Sequence, residues 1–516
     1  MKQVLESVWM KTLELGKQGG KSMAKELHFV DTTLRDGTQS LWAAESRTGM
    51  VEAVAEDLDR SGFQVVEVPL MPYNFKKIIR ELKEDPWLLA EIVGEKMQHA
   101  KKAFMGEPGL VLFELLETPP SVSKLFYDLL IERGAINRVQ TMANIFGDLK
   151  TDFPWFMPYL RSKGMEIAHA IAYSISPRHT DEYFVKKTKE VVKNEPDIIY
   201  FKDAAGLLTV ERLRTLLPII MENANGIPVE FHTHCTTGLA DELYVEAMKM
   251  GVRTLHTGIP PLANGSGQPS VFTTVANAHY FNLEHDLDLE RIKRISDRLM
   301  NIAKQENLPI GEPLEYDYSQ YIHQVPGGVI SNLRHQLQSL NLQNRVDEVI
   351  EESIRVRKEL GYPVMITPYS QFMVTQAAIN IATGERYKVV IDELIQLAAG
   401  VYSEDSGYLM MDQNLRDKFL SLPRAKELRY EPVEDVPIKK LKEQFGGPSL
   451  SDEEFMLRYI MKGTNDIEEM RKAGAHKKYF SASTPLVELL DRFSKQSDIT
   501  HVQVQGLQGS LLLTNN

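Results

Sequence analysis

The chain has 516 residues, of which 43% are hydrophobic and 25% are charged, as in ordinary globular proteins. Its 59 Lys and Arg residues against 71 Asp and Glu residues give a net charge of -12, which disfavours binding to nucleic acid or anionic membranes. The single cysteine, Cys235, excludes an internal disulfide and any zinc site that needs two cysteine ligands. No apolar run has the length of a membrane span or the form of a signal peptide. We therefore expect a cytoplasmic protein with no membrane span and no nucleic-acid partner.

A repeating βα pattern begins near residue 27. Short β-branched or apolar runs alternate with amphipathic helical stretches, as in βα units around a parallel sheet. The eight predicted strands are residues 27–34, 64–69, 110–116, 138–143, 166–174, 197–202, 228–234 and 254–258. An open doubly wound sheet also alternates, but no Gly-rich fingerprint follows the first strand, and eight units suit closure better. We predict an α/β fold, with a (β/α)8 TIM barrel at residues 27–284 after a helical extension at 1–26.

Strand signals end after residue 258, and helical ones take over. Residues 289–305, 341–361 and 389–399 carry apolar residues at helical spacing. We predict a helical C-terminal annex at residues 285–465 that completes the active-site funnel. The tail, residues 466–516, ends in an alternating stretch that favours an edge hairpin around Gly506 and Gly509.

Four groups able to bind a metal lie at the ends of predicted strands. Asp36 follows the first strand, Lys202 ends the sixth, and His232 and His234 end the seventh. In a parallel barrel the reactive groups lie at the C-terminal ends of strands. Residues i and i+2 of a strand face the same side, so both imidazoles can point at one ion. One carboxylate oxygen with two imidazole nitrogens suits zinc, manganese or cobalt.

Two of these assignments leave alternatives open. His232 and His234 also fit a hydrogen-bonded histidine pair without a metal. A protonated Lys202 cannot bind a metal and would form an ion pair with Asp36 or Asp203. Carbamylated by CO2, Lys202 would present a carboxylate and become a ligand.

Longer motifs around these residues carry a family resemblance. They are Asp31-Thr-Thr-Leu-Arg-Asp-Gly-Thr-Gln39, Lys202-Asp-Ala-Ala-Gly-Leu-Leu208, His232-Thr-His234, Asn264-Gly-Ser-Gly-Gln-Pro-Ser270 and Val325-Pro-Gly-Gly-Val-Ile-Ser-Asn-Leu333. The first belongs to the wider superfamily of metal-dependent TIM-barrel lyases, aldolases and acyl-CoA condensing enzymes. Together the motifs resemble the carboxyltransferase component of biotin-dependent carboxylases: the pyruvate carboxylase carboxyltransferase domain, the oxaloacetate decarboxylase alpha subunit and the transcarboxylase 5S subunit.

The resemblance implies a ligand set, a reaction and partners. Asp36, carbamylated Lys202, His232 and His234 would hold the metal. A carboxyl group would move between carboxybiotin and an enolisable acceptor such as a 2-oxo acid. Biotin would arrive on a separate carrier protein, loaded by a biotin carboxylase subunit. Family members commonly pair through the barrel, so a homodimer is expected.

The resemblance also implies three catalytic residues. Thr367 matches the family threonine that exchanges a proton between the substrate methyl and the biotin ureido nitrogen. Arg35 and Gln39 match groups that hold the carbonyl and enolate oxygens of the acceptor. A cation and a neutral donor suit that role because negative charge develops on oxygen in the transition state. Without the resemblance, Thr367 would be interpreted as a turn residue before Pro368.

Three departures from the family pattern bear on the acceptor. Residues 68–73 replace the family's Trp-Gly-Gly-Ala sequence after the second strand, and Cys235 replaces an aspartate. Residues 114–119, after the predicted third strand, lack the arginine with which pyruvate enzymes bind the substrate carboxylate. Arg138 is the predicted compensating cation. The predicted substrate or biotin pocket comprises Arg138, Cys235, Ser370 and Gln371.

Lys249 lies in a segment, Glu246-Ala-Met-Lys-Met250, that resembles a biotin attachment motif. Carrier domains place that lysine on an exposed hairpin turn, whereas this segment follows the seventh strand on a predicted barrel helix. Helical spacing points Lys249 away from the buried stripe of Leu239, Leu243 and Ala247. We expect no covalent biotin on this chain.

Two rival functions remain open. The first is a biotin-independent metal-dependent lyase, aldolase or decarboxylase on the same barrel. Hydroxymethylglutaryl-type lyases rely on a cysteine in a Gly-rich loop, whereas Cys235 adjoins the metal histidines, and residues 264–270 lack the Gly-x-Gly-Glu-Arg arm of acyl-CoA condensing enzymes. The second is a non-catalytic assembly subunit, which predicts no bound metal.

Overall fold

The computed structural model describes residues 25–110, 118–143, 149–327, 329–330, 333–334, 337, 343–366, 369–402, 406–428, 434–479, 501–506 and 509–514. Thr367 lies outside these residues. So do nearly all of the predicted N-terminal extension, 1–26, and nearly all of the predicted strand at 110–116.

Eight parallel strands close into a barrel, so the predicted TIM-barrel fold is confirmed. The strands of the described residues are β1 (Lys25–Glu26), β2 (His28–Asp31), β3 (Val65–Glu67), β4 (Lys101–Met105), β5 (Arg138–Thr141), β6 (Glu166–Ala172), β7 (Ile198–Asp203), β8 (Val229–Thr233), β9 (Thr254–Thr257), β10 (Leu283–Glu284), β11 (His501–Gly506) and β12 (Gly509–Thr514). Strands β2 to β9 pair in chain order, and β9 closes the barrel against β2. All eight C-terminal strand ends therefore open on one face, where the predicted site residues are expected.

The third barrel strand is not where the sequence predicted it. It is β4, Lys101–Met105, rather than residues 110–116, so that prediction is wrong. β4 begins with two consecutive lysines, so its sequence does not resemble a buried strand. Lys102 is nevertheless buried, because its Nζ donates a hydrogen bond to the carbonyl of Met97 at 2.6 Å. Its aliphatic stem then packs like an apolar residue. The other seven predicted strands overlap the observed ones.

Helices alternate with the barrel strands and cover the outside of the barrel. They are Thr48–Asp59, Pro72–Lys77, Pro86–Lys96, Pro120–Glu132, Phe153–Ser162, Asp181–Val192, Val210–Asn223, Ala240–Lys249 and Val271–His279. Three begin with proline, whose missing N–H costs nothing in the first turn. Side chains of Thr180, Thr209 and Ser270 cap three others by accepting a backbone N–H. These local signals agree with the alternating pattern in the sequence.

The remaining helices follow the barrel, as predicted. They are Leu289–Glu306, Ser319–His323, Val346–Glu359, Tyr369–Thr383, Asp392–Ala399, Gln413–Ser421, Pro423–Glu427, Ile438–Phe445, Asp452–Met461 and Asn465–Lys472. Among the described helices, none combines the length and apolar content that crossing a bilayer requires. The predicted C-terminal hairpin is present, since β11 pairs antiparallel with β12.

The hydrophobic core divides the region after the barrel. Residues of Leu289–Glu306 and of the helices from Ile438 to Lys472 join the main core of the barrel. The described apolar residues from Val325 to Phe419 instead form a second core, which also includes Met142, Ala168 and Tyr200 of the barrel. We call residues 325–428 the central annex. This part of the chain carries the predicted Ser370 and Gln371, and it packs on the barrel near β5 to β7.

Candidate metal centre

A tight helical turn after β2 positions the first two site residues. The turn Thr33–Gly37 buries both Arg35 and Asp36. Asp31 anchors it by accepting hydrogen bonds from the hydroxyl and the backbone N–H of Thr33. A side chain at Gly37 would place its Cβ 2.7 Å from the carbonyl oxygen of Leu262, so only glycine allows this close approach.

Three predicted metal ligands meet at the open end of the barrel. Oδ2 of Asp36 lies 3.3 Å from Nε2 of His232 and 3.6 Å from Nε2 of His234. All three side chains are buried, and their ligand atoms lie within 4.8 Å of one another. Tetrahedral bonds of about 2.1 Å would separate ligand atoms by about 3.4 Å, so these spacings fit one shared ion. The donor set therefore fits zinc, manganese or cobalt.

A glutamine that the sequence interpretation did not single out lies at the centre of this cluster. Nε2 of Gln268 lies 3.0 Å from Nε2 of His234 and 3.3 Å from both Nε2 of His232 and Oδ2 of Asp36. A hydrogen-bond donor surrounded by three acceptors occupies the place that suits a cation. Gln268 belongs to the Asn264–Ser270 motif, and this is the sequence signal that could have identified it.

Lys202, the fourth predicted ligand, lies next to this cluster. Its Nζ lies 3.8 Å from Oδ2 of Asp36. Burial lowers the pKa of Lys202, which increases the neutral fraction of the amine. Burial alone would raise the pKa of Asp36, but the charges of Arg35 and Lys202 hold it well below its usual range. Asp36 is thus an ionised carboxylate available to a cation.

Arg35 joins this centre to a second buried carboxylate. Its guanidinium lies 2.5 Å from Glu67 and 3.2 Å from Asp36. Gln39, on the next short helix, Thr38–Leu41, is partly exposed and follows Arg35 by one turn. Arg35 therefore contacts the predicted ligand Asp36, and the roles that the family resemblance implies for Arg35 and Gln39 stay predictions.

The remaining predicted pocket residues divide between two regions. Cys235 is buried beside His234, and burial raises the pKa of its thiol well above the ordinary value, which disfavours a thiolate. Ser370 is fully buried at the start of the helix Tyr369–Thr383. The amide of Gln371 donates to the hydroxyl of Thr375 on the same helix at 3.2 Å. Thr367, two positions before the start of this helix in the sequence, is outside the described residues.

The structure does not support the predicted contact between Arg138 and a substrate carboxylate. Arg138 is the first residue of β5, so it lies at the end of the strand that is opposite the active-site loops. Its guanidinium is buried and donates to both oxygens of Glu230, at 2.6 and 3.1 Å, and to Glu166 at 3.1 Å. Glu230 and Glu166 therefore already neutralise the positive charge of Arg138, which a substrate carboxylate would need.

Sequence reasoning missed the buried residues beneath the metal cluster. Glu230 lies two positions before His232, and His256 lies on the neighbouring strand, β9. The same i, i+2 rule that paired His232 with His234 indicates that Glu230 faces the barrel interior. Although burial would raise the pKa of Glu230, the charge of Arg138 and a hydrogen bond with His256 lower it to about 2.

Lys249 lies on a helix, as predicted, rather than on a hairpin turn. It is the last residue of Ala240–Lys249, and its ammonium lies 3.5 Å from Glu246. Leu243 and Ala247 of the predicted stripe are buried. This placement differs from that of a biotin-accepting lysine at a hairpin tip.

Two family models match the chain. The family described as HMGL-like matches residues 146–299, and the conserved carboxylase domain matches residues 321–501. The boundary between the two matches falls near the end of the barrel.

Curated relatives agree with these matches. A pyruvate carboxylase subunit of Methanocaldococcus jannaschii is 33% identical over 73% of this chain and 65% of its own length. The 2-oxoglutarate carboxylase large subunit of Hydrogenobacter thermophilus is 29% identical over 81% of this chain and 63% of its own length. The methylmalonyl-CoA carboxyltransferase 5S subunit of Propionibacterium freudenreichii is 27% identical over 74% of each chain. The first two relatives thus extend beyond the region that this chain matches.

A solved structure shares the fold. The carboxyl transferase domain of Rhizobium etli pyruvate carboxylase with oxamate and biotin superposes with a TM-score of 0.76. It is 22% identical, and the match covers 88% of this chain and 79% of that one. By these matches the chain is similar to the carboxyltransferase components of biotin-dependent carboxylases, with a region that matches the HMGL-like family followed by one that matches the conserved carboxylase domain.

Proposed function

We propose that this chain is a carboxyltransferase subunit that moves a carboxyl group between carboxybiotin and an enolisable acceptor such as a 2-oxo acid. The observation that carries the proposal is the convergence of Asp36, His232 and His234 at the open end of the barrel. The relatives named as carboxylase and carboxyltransferase subunits support it. Biotin would be attached to a separate carrier protein that a biotin carboxylase subunit loads.

The residues of the barrel would bind and orient the acceptor. Arg35 and Gln39 would hold its carbonyl oxygen and stabilise the negative charge that develops there as the enolate forms. Bound by Asp36, His232 and His234, a zinc, manganese or cobalt ion would supply Lewis-acid polarisation next to that oxygen. Thr367 would move a proton between the acceptor's methyl carbon and the biotin ureido nitrogen, while CO2 passes to the carbon that loses the proton.

We propose that Lys202 serves as a ligand in its carbamylated form. The lowered pKa of Lys202 supports this, since only the neutral amine reacts with CO2. Protein incubated with 13C-bicarbonate should show one carbamate carbon resonance, and Lys202→Ala should remove it. A wild-type spectrum without that resonance would leave Lys202 as the ammonium partner of Asp36.

The acceptor is proposed as a class rather than as one compound. The relatives are named for pyruvate, 2-oxoglutarate and methylmalonyl-CoA. Residues 106–110, which follow β4, contain no arginine, and they include the buried Glu107. Burial raises the pKa of Glu107 well above its ordinary value. A buried carboxyl in place of a cation disfavours a small substrate carboxylate at this strand end, so pyruvate is not the leading candidate.

The decisive experiment combines metal analysis with biotin-dependent transfer. The purified chain should contain one divalent ion, and added biotin should stimulate decarboxylation of a member of a panel of carboxylated oxo acids and acyl-CoA thioesters. Asp36→Asn should lower metal affinity at least about 100-fold and abolish turnover, because a neutral amide oxygen replaces the charged carboxylate ligand. Turnover without any dependence on biotin would favour the lyase, aldolase or decarboxylase alternative, and a metal-free active chain would contradict both.

A matched control is available in Asp59. Its buried carboxylate accepts hydrogen bonds from the backbone of His99 and Ala100, at 2.8 Å each, on the outer side of the barrel. Asp59→Asn should lower stability without changing metal content. We also propose that the protein is cytoplasmic. We propose that it acts as a homodimer, and light scattering can test this oligomeric state.

A further inference from the structure

The two histidine ligands differ in what holds the ring nitrogen that faces away from the metal. Nδ1 of His234 lies 2.7 Å from the carbonyl oxygen of Ser266, which is an ordinary partner for a ligand imidazole. Nδ1 of His232 instead lies 3.2 Å from Nδ1 of another imidazole, His256. A contact between two ring nitrogens is a hydrogen bond only if one carries a proton and the other a lone pair.

The arginine and carboxylate below His256 determine which nitrogen carries the proton. Two nitrogens of Arg138 donate to the two oxygens of Glu230, so this carboxylate is ionised and can only accept. Nε2 of His256 lies 2.9 Å from Oε2 of Glu230 and must therefore donate. A neutral imidazole that carries its proton on Nε2 has its lone pair on Nδ1.

The direction of the remaining hydrogen bonds follows. With His256 neutral, its Nδ1 accepts, so Nδ1 of His232 donates, and the lone pair of His232 then lies on Nε2. On the other side of the ring, the amide nitrogen of Gln268 lies 3.3 Å from both Nε2 of His232 and Oδ2 of Asp36, and Oδ2 of Asp36 lies 3.3 Å from Nε2 of His232, where a bound cation would take the place of a proton. An amide nitrogen facing a carboxylate is a donor, and a lone pair on Nε2 of His232 allows it to donate there as well.

His256 is held in place on several sides. Its ring stacks on that of Tyr200 with centroids 5.5 Å apart and an interplanar angle of 17°. Its backbone carbonyl accepts a hydrogen bond from the hydroxyl of Tyr244. His232 and His256 are completely buried, so water cannot take over either hydrogen bond.

We propose that Arg138, Glu230 and His256 form a buried hydrogen-bonded chain that fixes the tautomer of His232 and directs its Nε2 lone pair at the metal site. His256 is thus a positioning residue that acts through a metal ligand. The inference rests on the proposed metal-binding role of His232.

A second ion is the structural alternative to this chain. Glu67, His232 and His256 also lie close enough together to hold a cation, with Oε1 of Glu67 4.0 Å from Nδ1 of His256. Such an ion would need the lone pairs of both Nδ1 atoms. His232 would then carry its proton on Nε2 and could not bind the first ion as a neutral ligand, so the two arrangements predict different metal stoichiometries.

Cobalt binding by the full chain tests the proposal without relying on turnover. His256→Leu should weaken Co2+ affinity by about 10- to 100-fold and shift the visible absorption of the bound ion. His256→Asn should bind Co2+ nearly as the wild type does, because its amide oxygen can accept from Nδ1 of His232. Unchanged affinity and absorption in His256→Leu would overturn the proposal, as would two ions per wild-type chain.

The matched control is His169, another fully buried barrel histidine. Its Nδ1 lies 2.6 Å from the hydroxyl of Thr141, and it contacts none of the ligands through a hydrogen bond recorded among the described residues. His169→Leu should lower thermal stability and leave Co2+ affinity unchanged. An equal loss of Co2+ affinity in both leucine variants would show a general effect of core damage and would contradict a specific role for His256.

A measurement on the wild-type protein covers the case in which His256→Leu does not fold. Nitrogen-15 spectra of the histidine-labelled, metal-free chain should show His256 protonated on Nε2 and His232 protonated on Nδ1. The opposite tautomers would overturn the proposal. These outcomes can be told apart from an error in the proposed metal site. If the metal site is wrong, Asp36→Asn will bind metal as the wild type does. The tautomers are measured on the metal-free protein and do not depend on that result.

Discussion

The barrel part and the annex part of the candidate site differ in how their polar groups are paired. In the barrel, Nε2 of His232 and of His234 and Nζ of Lys202 all lie within 3.8 Å of Asp36, and the outer nitrogen of each ring has a partner. In the annex, the buried hydroxyl of Ser370 has no hydrogen-bond partner among the described residues. The predicted ligands of the barrel part are therefore already held by one another and by their outer partners, whereas the hydroxyl of Ser370 in the annex part is left for a later partner.

This difference follows from how the two parts are built. The strand ends are fixed by the closed barrel, so the ligands keep their spacing whatever happens elsewhere. The central annex has a core of its own and reaches the barrel through side chains near β5 to β7. We therefore expect that damage to the annex stops carboxyl transfer and leaves metal binding intact.

Among the variants, Thr367→Ala is expected to give the largest difference between its effect on carboxyl transfer and its effect on metal binding. If Thr367 carries the proton between acceptor and biotin, its loss should lower biotin-dependent transfer by at least about 100-fold, in the range of general acid–base catalysis. Metal content should not change, because the ligands lie on the barrel. Transfer assays and metal analysis on the same preparation measure both quantities.

Thr209→Ala provides the control for this substitution. Thr209 caps the helix Val210–Asn223 by accepting from the backbone N–H of Arg212 at 3.1 Å. Its loss should cost about 1 kcal/mol of stability and leave transfer unchanged. Transfer at the wild-type rate in Thr367→Ala would remove the proton-transfer role from that residue.

A smaller effect is expected from loosening the contact between annex and barrel. Arg357, on the annex helix Val346–Glu359, donates to the hydroxyl of Ser174 at 3.0 Å and to the carbonyl of Ile175 at 3.1 Å, just after β6. Arg357→Met leaves these acceptors without their donor and should cost about 2 kcal/mol of stability. We expect transfer to fall about tenfold at unchanged metal affinity. Equal losses of transfer and metal binding would show that the two parts do not act separately.

The barrel part of the site was predictable from sequence because it depends on local rules. Strand order places Asp36, Lys202 and His234 at one end of the barrel, and the period of two places His232 beside His234. The same rules did not predict β4, because Lys101 and Lys102 resemble a polar turn in the sequence. In the structure Lys102 is buried, and its Nζ donates a hydrogen bond to the carbonyl of Met97. Composition cannot show that a lysine stem will pack in a core.

The role of Arg138 could not be predicted because it depends on charges from other strands. Its charge was interpreted as available to a substrate, but Glu230 on β8 and Glu166 on β6 are brought to it by closure of the barrel. Arg138 is separated from Glu230 by 92 positions in the chain. A single sequence contains no signal for such a pair, whereas a motif such as His232-Thr-His234 contains its own spacing.

The smallest effect on transfer, and a clear effect on stability, is expected from Asp31 beneath the metal centre. Burial raises its pKa to about 7, although hydrogen bonds from Thr33 lower it. A carboxyl whose folded pKa lies above its unfolded value of 3.8 stabilises the fold most fully below that value, and this contribution is lost as pH rises through 7. Asp31→Asn, which stays neutral, should therefore gain stability relative to the wild type as pH rises from 5 to 8, by about 3 kcal/mol. Thermal unfolding of both metal-free proteins across this range measures the difference; parallel curves would show that Asp31 is ionised throughout and that the barrel part tolerates its charge.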